Sequence, residues 1–306
     1  MTQEHIIDEQ IRSYLHICRY QKNLDAKTIK AYRIDLRQFS EFLTERQLEI
    51  SKDSMSAYIM EMNRRFKPRS VKRKIASIKA FLNYLEDEEL LEINPFNKLR
   101  ISLREPVLLP RTIPLRTIEM LLSEAHHMAL SGPTDYSRMY ALRDSAVMEL
   151  LFATGLRVSE LCSLNVADLD LVEGTVKIYG KGAKERIVHI GTPVVLAVLS
   201  EYHSCFGGQP TAPFFVNRTG NRISEQSVRS ILNKYASRIN PDLHVTPHMF
   251  RHSFATLLLE EDVDIRYIQQ LLGHSSITTT QIYTHVTTAK QKTILMQKHP
   301  RNKIVL

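Results

Sequence analysis

Six side chains in the last two thirds of this sequence form one chemical set: Arg157, Lys181, His248, Arg251, His274 and Tyr283. Two guanidiniums can grip the non-bridging oxygens of a phosphate bidentately and stabilise charge developing at phosphorus. A tyrosine hydroxyl can act as nucleophile, although its ordinary pKa of about 10 calls for help from a neighbouring base or cation. A lysine tuned downward can protonate a leaving alkoxide. The set suits phosphoryl transfer without a metal. Singly, each residue has a plainer account. Arg157 lies in an apolar stretch, LLFATGLRVSELCSL, and could simply pair with Glu160 one helical turn on. His248 and Arg251 share a helix face, and a lone His248 could be a satisfied, half-buried histidine. His248 and His252 have the spacing of a zinc pair, but the position after the first histidine is Met249 rather than the glutamate of a metalloprotease. No acidic cluster suggests magnesium. Lys181 could be a solvated turn lysine, with Lys184 as its neighbour and competitor, and Tyr283 a core aromatic.

The elements that must position these residues fall into two blocks. Residues 3–21 and 26–45 carry apolar residues at three- and four-residue steps, which predicts amphipathic helices, the second capped by Asp25. A third helix is expected over about 53–63, and Pro68 starts a fourth. Asn94-Pro95 closes a helical bundle assigned to residues 1–100. Residues 101–114 hold Pro106, Pro110 and Pro114 and read as an extended interdomain linker. The second domain, 115–306, is mixed. Helices are expected at 115–130, 139–154, 156–164, 194–204, 224–238, 247–261, 264–272 and 276–282. TVKIYGKGAKERIVHIG alternates on both sides of a glycine-bearing turn, a β-hairpin pattern. Gly155 and Gly273 mark helix ends. The fold class is mainly α with a small β-hairpin or sheet, in two domains, with a C-terminal tail at 286–306 that is weakly amphipathic from 286 to 299 and broken by Pro300.

Composition sets outer bounds. The chain has 306 residues, 43% hydrophobic and 24% charged, which excludes disordered, collagen-like and disulfide-stapled classes. No apolar run reaches the roughly 18 residues of a membrane span, and the polar N-terminus has no signal-peptide pattern, so the expectation is a cytoplasmic protein with no membrane partner. Three cysteines with no CxxC pair read as reduced, mostly buried thiols. The net charge of +8 is spread over both halves and favours a polyanionic partner. Lys67, Arg69, Lys72, Arg73, Lys74 and Lys79 load the fourth helix. Arg69, Lys72 and Arg73 are candidates for phosphate or groove contacts, and Thr28 and Arg33 on the second helix are weaker ones. Tyr32 fits the apolar stripe as well.

ATGLRVSEL (153–161), GKGAKER (180–186), HMFRHSFAT (248–256) and LLGHSSITTTQIYTH (271–285) resemble, in order and spacing, the motifs of the tyrosine recombinase/integrase family. The helical first block resembles that family's core-binding domain, and His299-Pro300-Arg301 resembles the ending of its bacterial Xer-like branch. The resemblance implies that Arg157 and Arg251 clamp a scissile DNA phosphate. By the same resemblance Lys181 is the general acid, His248 an acid/base and phosphate ligand, and His274 a hydrogen-bond donor to phosphate. Tyr283 is then the nucleophile that forms a 3′-phosphotyrosyl link, and Glu160 supports Arg157. No cofactor or metal is implied. The sequence contains no P-loop, and the phosphotyrosine ester itself conserves the bond energy. The implied partner is double-stranded DNA with an inverted-repeat core site, bound by a homo- or hetero-tetramer on two duplexes. A second recombinase and a DNA translocase are candidate partners, and residues 287–298 are the candidate segment passed to a neighbouring protomer. Resolution of chromosome or plasmid dimers is the expected role. Integration or transposition of a mobile element, a non-catalytic DNA-binding protein and a type IB topoisomerase are the alternatives.

Overall fold

The computed structural model describes residues 3–99, 101, 111–179 and 185–273, with side chains from Ile7 onward. The chain divides into two compact units, Met1–Val107 and Leu108–Leu306.

The described part of the first unit is helical: α1 Gln3–Tyr20, α2 Ala26–Glu45, α3 Lys52–Arg65 and α4 Pro68–Asp87, then a 3-10 turn Pro95–Lys98. Asp25 caps α2 by accepting from the Lys27 and Thr28 backbone N–H groups, and Ser51 caps α3 with a reciprocal bond from Ser54. The helices close over Tyr14, Leu36, Phe39, Met55, Tyr58, Ile78 and Phe81. Lys74 differs from its basic neighbours on α4. It falls in the stripe of Val71, Ile75 and Ile78 and is therefore buried, whereas Arg69, Lys72 and Arg73 are exposed.

The second unit is built around α6, Asp135–Thr154, which is buried on every face from Ala141 to Leu151. Against it pack α5 Leu115–Ser131, α8 Pro193–Phe206, α9 Glu225–Ile239 and α10 Pro247–Glu260. Short helices α7 Val158–Ser163 and α11 Ile265–Leu272 complete the described set. The α6 helix begins four residues before the expected start because Thr134 caps it and exchanges bonds with Ser137. The hairpin forms from β2 Thr175–Tyr179 and β3 Glu185–His189, paired antiparallel from Thr175 with His189 to Tyr179 with Glu185. A two-residue strand, β1 Leu169–Asp170, extends it to three strands in the order β1-β2-β3. Ile113, inside the expected linker, is buried in this unit's core, and its N–H donates to Ser253 Oγ at 2.6 Å. Of the three thiols, Cys18 and Cys162 are buried and Cys205 is exposed, because it sits on the outer face of α8 near its end.

Candidate active site

The site is assembled where three helix ends meet. The first is the end of α6. Gly155 adopts a left-handed φ of +61°, and a β-carbon there would lie 2.5 Å from Phe254 Cδ1, so only glycine turns the chain at that point. Two residues later Arg157 occupies the N-cap of α7. Glu160, at the third helical position, returns its Oε2 to the Arg157 backbone N–H at 2.9 Å. The far end of α7 is held by Arg222, whose Nη1 donates to the Cys162 and Leu164 carbonyls at 3.0 and 2.9 Å.

The second is the start of α10, where Thr246 caps the helix and Pro247 takes its first position. This places His248 at the exposed end and Arg251 one turn inward, 4% exposed. The third is the C-terminus of α11, closed by Gly273 at φ +63°.

Three guanidiniums converge on that terminus. Arg186 Nε donates to the Leu271 carbonyl at 3.3 Å, Arg251 Nη2 to Leu272 at 2.7 Å and Arg157 Nη2 to Gly273 at 3.1 Å. Consecutive carbonyls that an α-helix leaves without intrahelical donors thus each receive a different arginine, at the negative end of the helix dipole. Arg251 Nη1 also donates to the Gly155 carbonyl at 2.7 Å, tying the α6 and α11 ends together. Glu160 is the common counter-ion. Its Oε1 accepts from Arg157 Nη1 at 2.8 Å and Arg186 Nη1 at 2.9 Å, and its Oε2 from Arg186 Nη2 at 2.8 Å. Burial pushes the Glu160 carboxyl up, but the Arg186 and Arg157 donors outweigh it and hold it at about 2.

His248 is held below the ordinary histidine range by partial burial and by the charges of Arg251, Arg229 and Arg157. It is therefore neutral at pH 7 and able to accept a proton. Burial, with His248 and Arg251, lowers His252 to about 4. Among the described residues no three His, Cys, Asp or Glu side chains gather as a metal site would require.

The structure therefore brings together Arg157, Glu160, His248 and Arg251 from the expected set. Lys181, its competitor Lys184, His274, Tyr283 and the 287–298 segment lie outside the described residues. Arg186 is the residue that sequence reasoning missed. Its only signal is its register: on β3 it shares the inner face with Val188, two residues on, and pairs with buried Ile178.

In the first unit, Arg69, Lys72 and Arg73 lie along the exposed side of α4, and Arg33 is exposed on α2. Thr28 spends its hydroxyl on Asp25 Oδ2, 2.9 Å away. Arg73 is half-exposed and ion-paired with Asp35, which is fully buried and also accepts from Lys74 Nζ and Ser77 Oγ, each at 3.0 Å. Lys74 further bonds Gln38 and lies 4.7 Å from the Phe66 ring centroid.

Residues 109–290 match the model of the phage integrase family, and residues 11–89 match its N-terminal SAM-like domain. A tyrosine recombinase of Agathobacter rectalis is 53% identical over 298 residues, covering 96% of this chain and 97% of that protein. Tyrosine recombinase XerC of Pelobacter propionicus is 35% identical, covering 96% of each. Tyrosine recombinase XerD of Listeria innocua is 36% identical, covering 96% of this chain and 100% of the other. Among solved structures, XerA recombinase aligns with a TM-score of 0.52 at 26% identity, over 96% of this chain and 99% of that one. XerH bound to palindromic difH, a post-cleavage complex, shares the fold with a TM-score of 0.72 at 21% identity, over 92% and 83% of the two chains.

Proposed function

The chain belongs to the phage integrase family as a Xer-like tyrosine recombinase, and from that membership we propose how its residues carry the reaction. Arg157 and Arg251 bind the non-bridging oxygens of a scissile phosphate in duplex DNA. The Tyr283 hydroxyl oxygen attacks phosphorus, and the bond from phosphorus to the 5′-oxygen breaks. Neutral His248 takes the tyrosine proton, Lys181 gives one to the leaving 5′-oxygen, and His274 hydrogen-bonds a phosphate oxygen. A 5′-hydroxyl of a second strand then attacks the phosphotyrosine and releases the tyrosine. The energy of the broken bond is kept throughout, so neither ATP nor a metal takes part.

The observation that supports this reading best is the convergence of Arg157 and Arg251 on neighbouring carbonyls at the end of α11. Two arginines distant in sequence are fixed side by side one residue before His274. Each is worth about 10²–10³-fold in rate when a donor to the developing charge is removed.

The Arg69, Lys72 and Arg73 face of α4, with Thr28 and Arg33 on α2, contributes DNA contacts. The working assembly is a tetramer on two duplexes that recombines an inverted-repeat core site. Residues 287–298 contact a neighbouring protomer. The biological role is resolution of chromosome or plasmid dimers, with a second recombinase and a DNA translocase as candidate partners.

Trapping tests this. Protein is incubated with fragmented host DNA in EDTA and denatured with SDS, and the protein-linked DNA is sequenced beside a Tyr283→Phe control. Adducts that require Tyr283 and map to one inverted-repeat site are the expected result. Adducts that survive Tyr283→Phe overturn the nucleophile assignment. A site at a mobile-element end overturns the dimer-resolution role.

A further inference from the structure

Arg186 has no part in the mechanism above, yet it is the most heavily engaged charged group around Glu160. It stands on the core-facing side of β3, opposite Ile178, and its side chain is 16% exposed. Both of its terminal nitrogens fork onto the two Glu160 oxygens, and its Nε reaches the Leu271 carbonyl. It lies so close over Gly273 that a β-carbon there would come within 2.9 Å of Nη1. One planar group therefore joins β3, α7 and the end of α11.

The fork also divides Glu160 between Arg186 and Arg157. Glu160 Oε1 is shared between Arg157 Nη1 and Arg186 Nη1, while Oε2 is divided between Arg186 and the Arg157 backbone N–H. With Arg186 in place, Arg157 meets the carboxylate through one terminal nitrogen, and its other nitrogen turns to Gly273. Without it, the buried carboxylate has Arg157 as its remaining guanidinium, and a bidentate pair becomes the favoured geometry.

We propose that Arg186 is a positioning residue for strand transfer: by forking Glu160 it keeps the Arg157 guanidinium aimed at the end of α11, beside Arg251, where the phosphate is read to bind, without itself touching DNA. This rests on the reading that Arg157 binds the scissile phosphate. Lysine cannot replace it, because an ammonium is a point charge that cannot span two carboxylate oxygens and a carbonyl in one plane.

The test is single-turnover cleavage of a nicked duplex carrying the trapped site sequence, with the dissociation constant for the same DNA measured in parallel. Arg186→Ala is expected to bind DNA within about twofold of wild type and to cleave about 10²-fold more slowly, the scale of a roughly 1 Å misplacement. Arg186→Lys, which keeps the charge if the alanine variant fails to fold, is expected to remain at least about tenfold slow. Glu160→Gln combined with Arg186→Ala is expected to be no slower than the slower single variant by more than about threefold, because the two act as one unit.

Wild-type cleavage by Arg186→Lys overturns the proposal, as does a double variant whose losses multiply. So does rescue of Arg186→Ala by a 5′-bridging phosphorothiolate, whose thiol leaving group needs no acid. That rescue would place Arg186 with Lys181 rather than with Arg157. Wild type and Arg157→Ala are run alongside. If Arg157→Ala cleaves at the wild-type rate, the phosphate assignment itself fails and takes this inference with it. If only the Arg186 variants behave as wild type, the inference alone fails.

Discussion

Glu160 is a carboxylate that burial would neutralise and two arginines keep ionised, and its protonation is therefore tied to folding. Its native pKa of about 2 lies below the 4.5 of an unperturbed glutamate. Between those values the unfolded chain binds the proton and the folded chain does not, so stability rises with pH across that window. The contribution is complete above about pH 4.5 and is lost as pH falls toward 2, on the order of 3 kcal/mol in all. Thermal melts of wild type and Glu160→Gln from pH 5 to pH 2 check this. The stability gap should shrink as pH falls, and a constant gap would refute the linkage. At this scale the sequence was readable where residue type alone carried the meaning. Arg157, His248 and Arg251 stand out because charged or titratable groups in apolar or shared-face settings need partners. Arg186 did not stand out because its partners, Glu160 and Leu271, are far away in sequence. The alternation along β3 reads equally well with Ile187 on the inner face and Arg186 and Val188 on the outer one. Lys74 likewise reads as one more cation of the fourth helix, although its place in the Val71–Ile75–Ile78 stripe is visible and only the buried Asp35 is not.

At the scale of elements, the site depends on two left-handed glycines that end helices. Gly155→Ala forces a β-carbon into the Phe254 ring and strains a φ of +61°. Strain and overpacking together should cost about 2–4 kcal/mol and displace the carbonyl that Arg251 Nη1 holds. The expected result is a lower melting temperature and slower strand cleavage together. An alanine variant as stable and active as wild type would show that the turn has no such constraint. Both glycines were legible as helix ends, and so were most helix starts, because Asp25, Pro68 and Pro247 are local signals. What escaped notice had no local signal or a weak one. A two-residue strand such as Leu169–Asp170 has no periodicity to detect and exists only because β2 pairs with it. The early start of α6 turns on a Thr134–Ser137 exchange that uses serine where a capping box more often has glutamate or glutamine.

For the whole molecule, each described core draws its residues from one unit: Ile7 to Phe96 in the first, and Ile113 to Phe250 with a small cluster of Ala255, Ile268 and Leu272 in the second. Damage to one core should therefore register in one unfolding transition. Asp35→Ala leaves Lys74, 3% exposed, without its carboxylate, at a cost of about 3–5 kcal/mol. In urea, a probe in the first unit should report an earlier midpoint, while the second unit's transition stays in place. A single transition that moves as one would show that the units unfold together. The separation of the cores also bears on ancestry. A gene encoding this chain could inherit its first hundred codons from one parent and the remainder from another without removing a residue from either core. Descendants could thereby keep an old integrase-family unit while exchanging the SAM-like one.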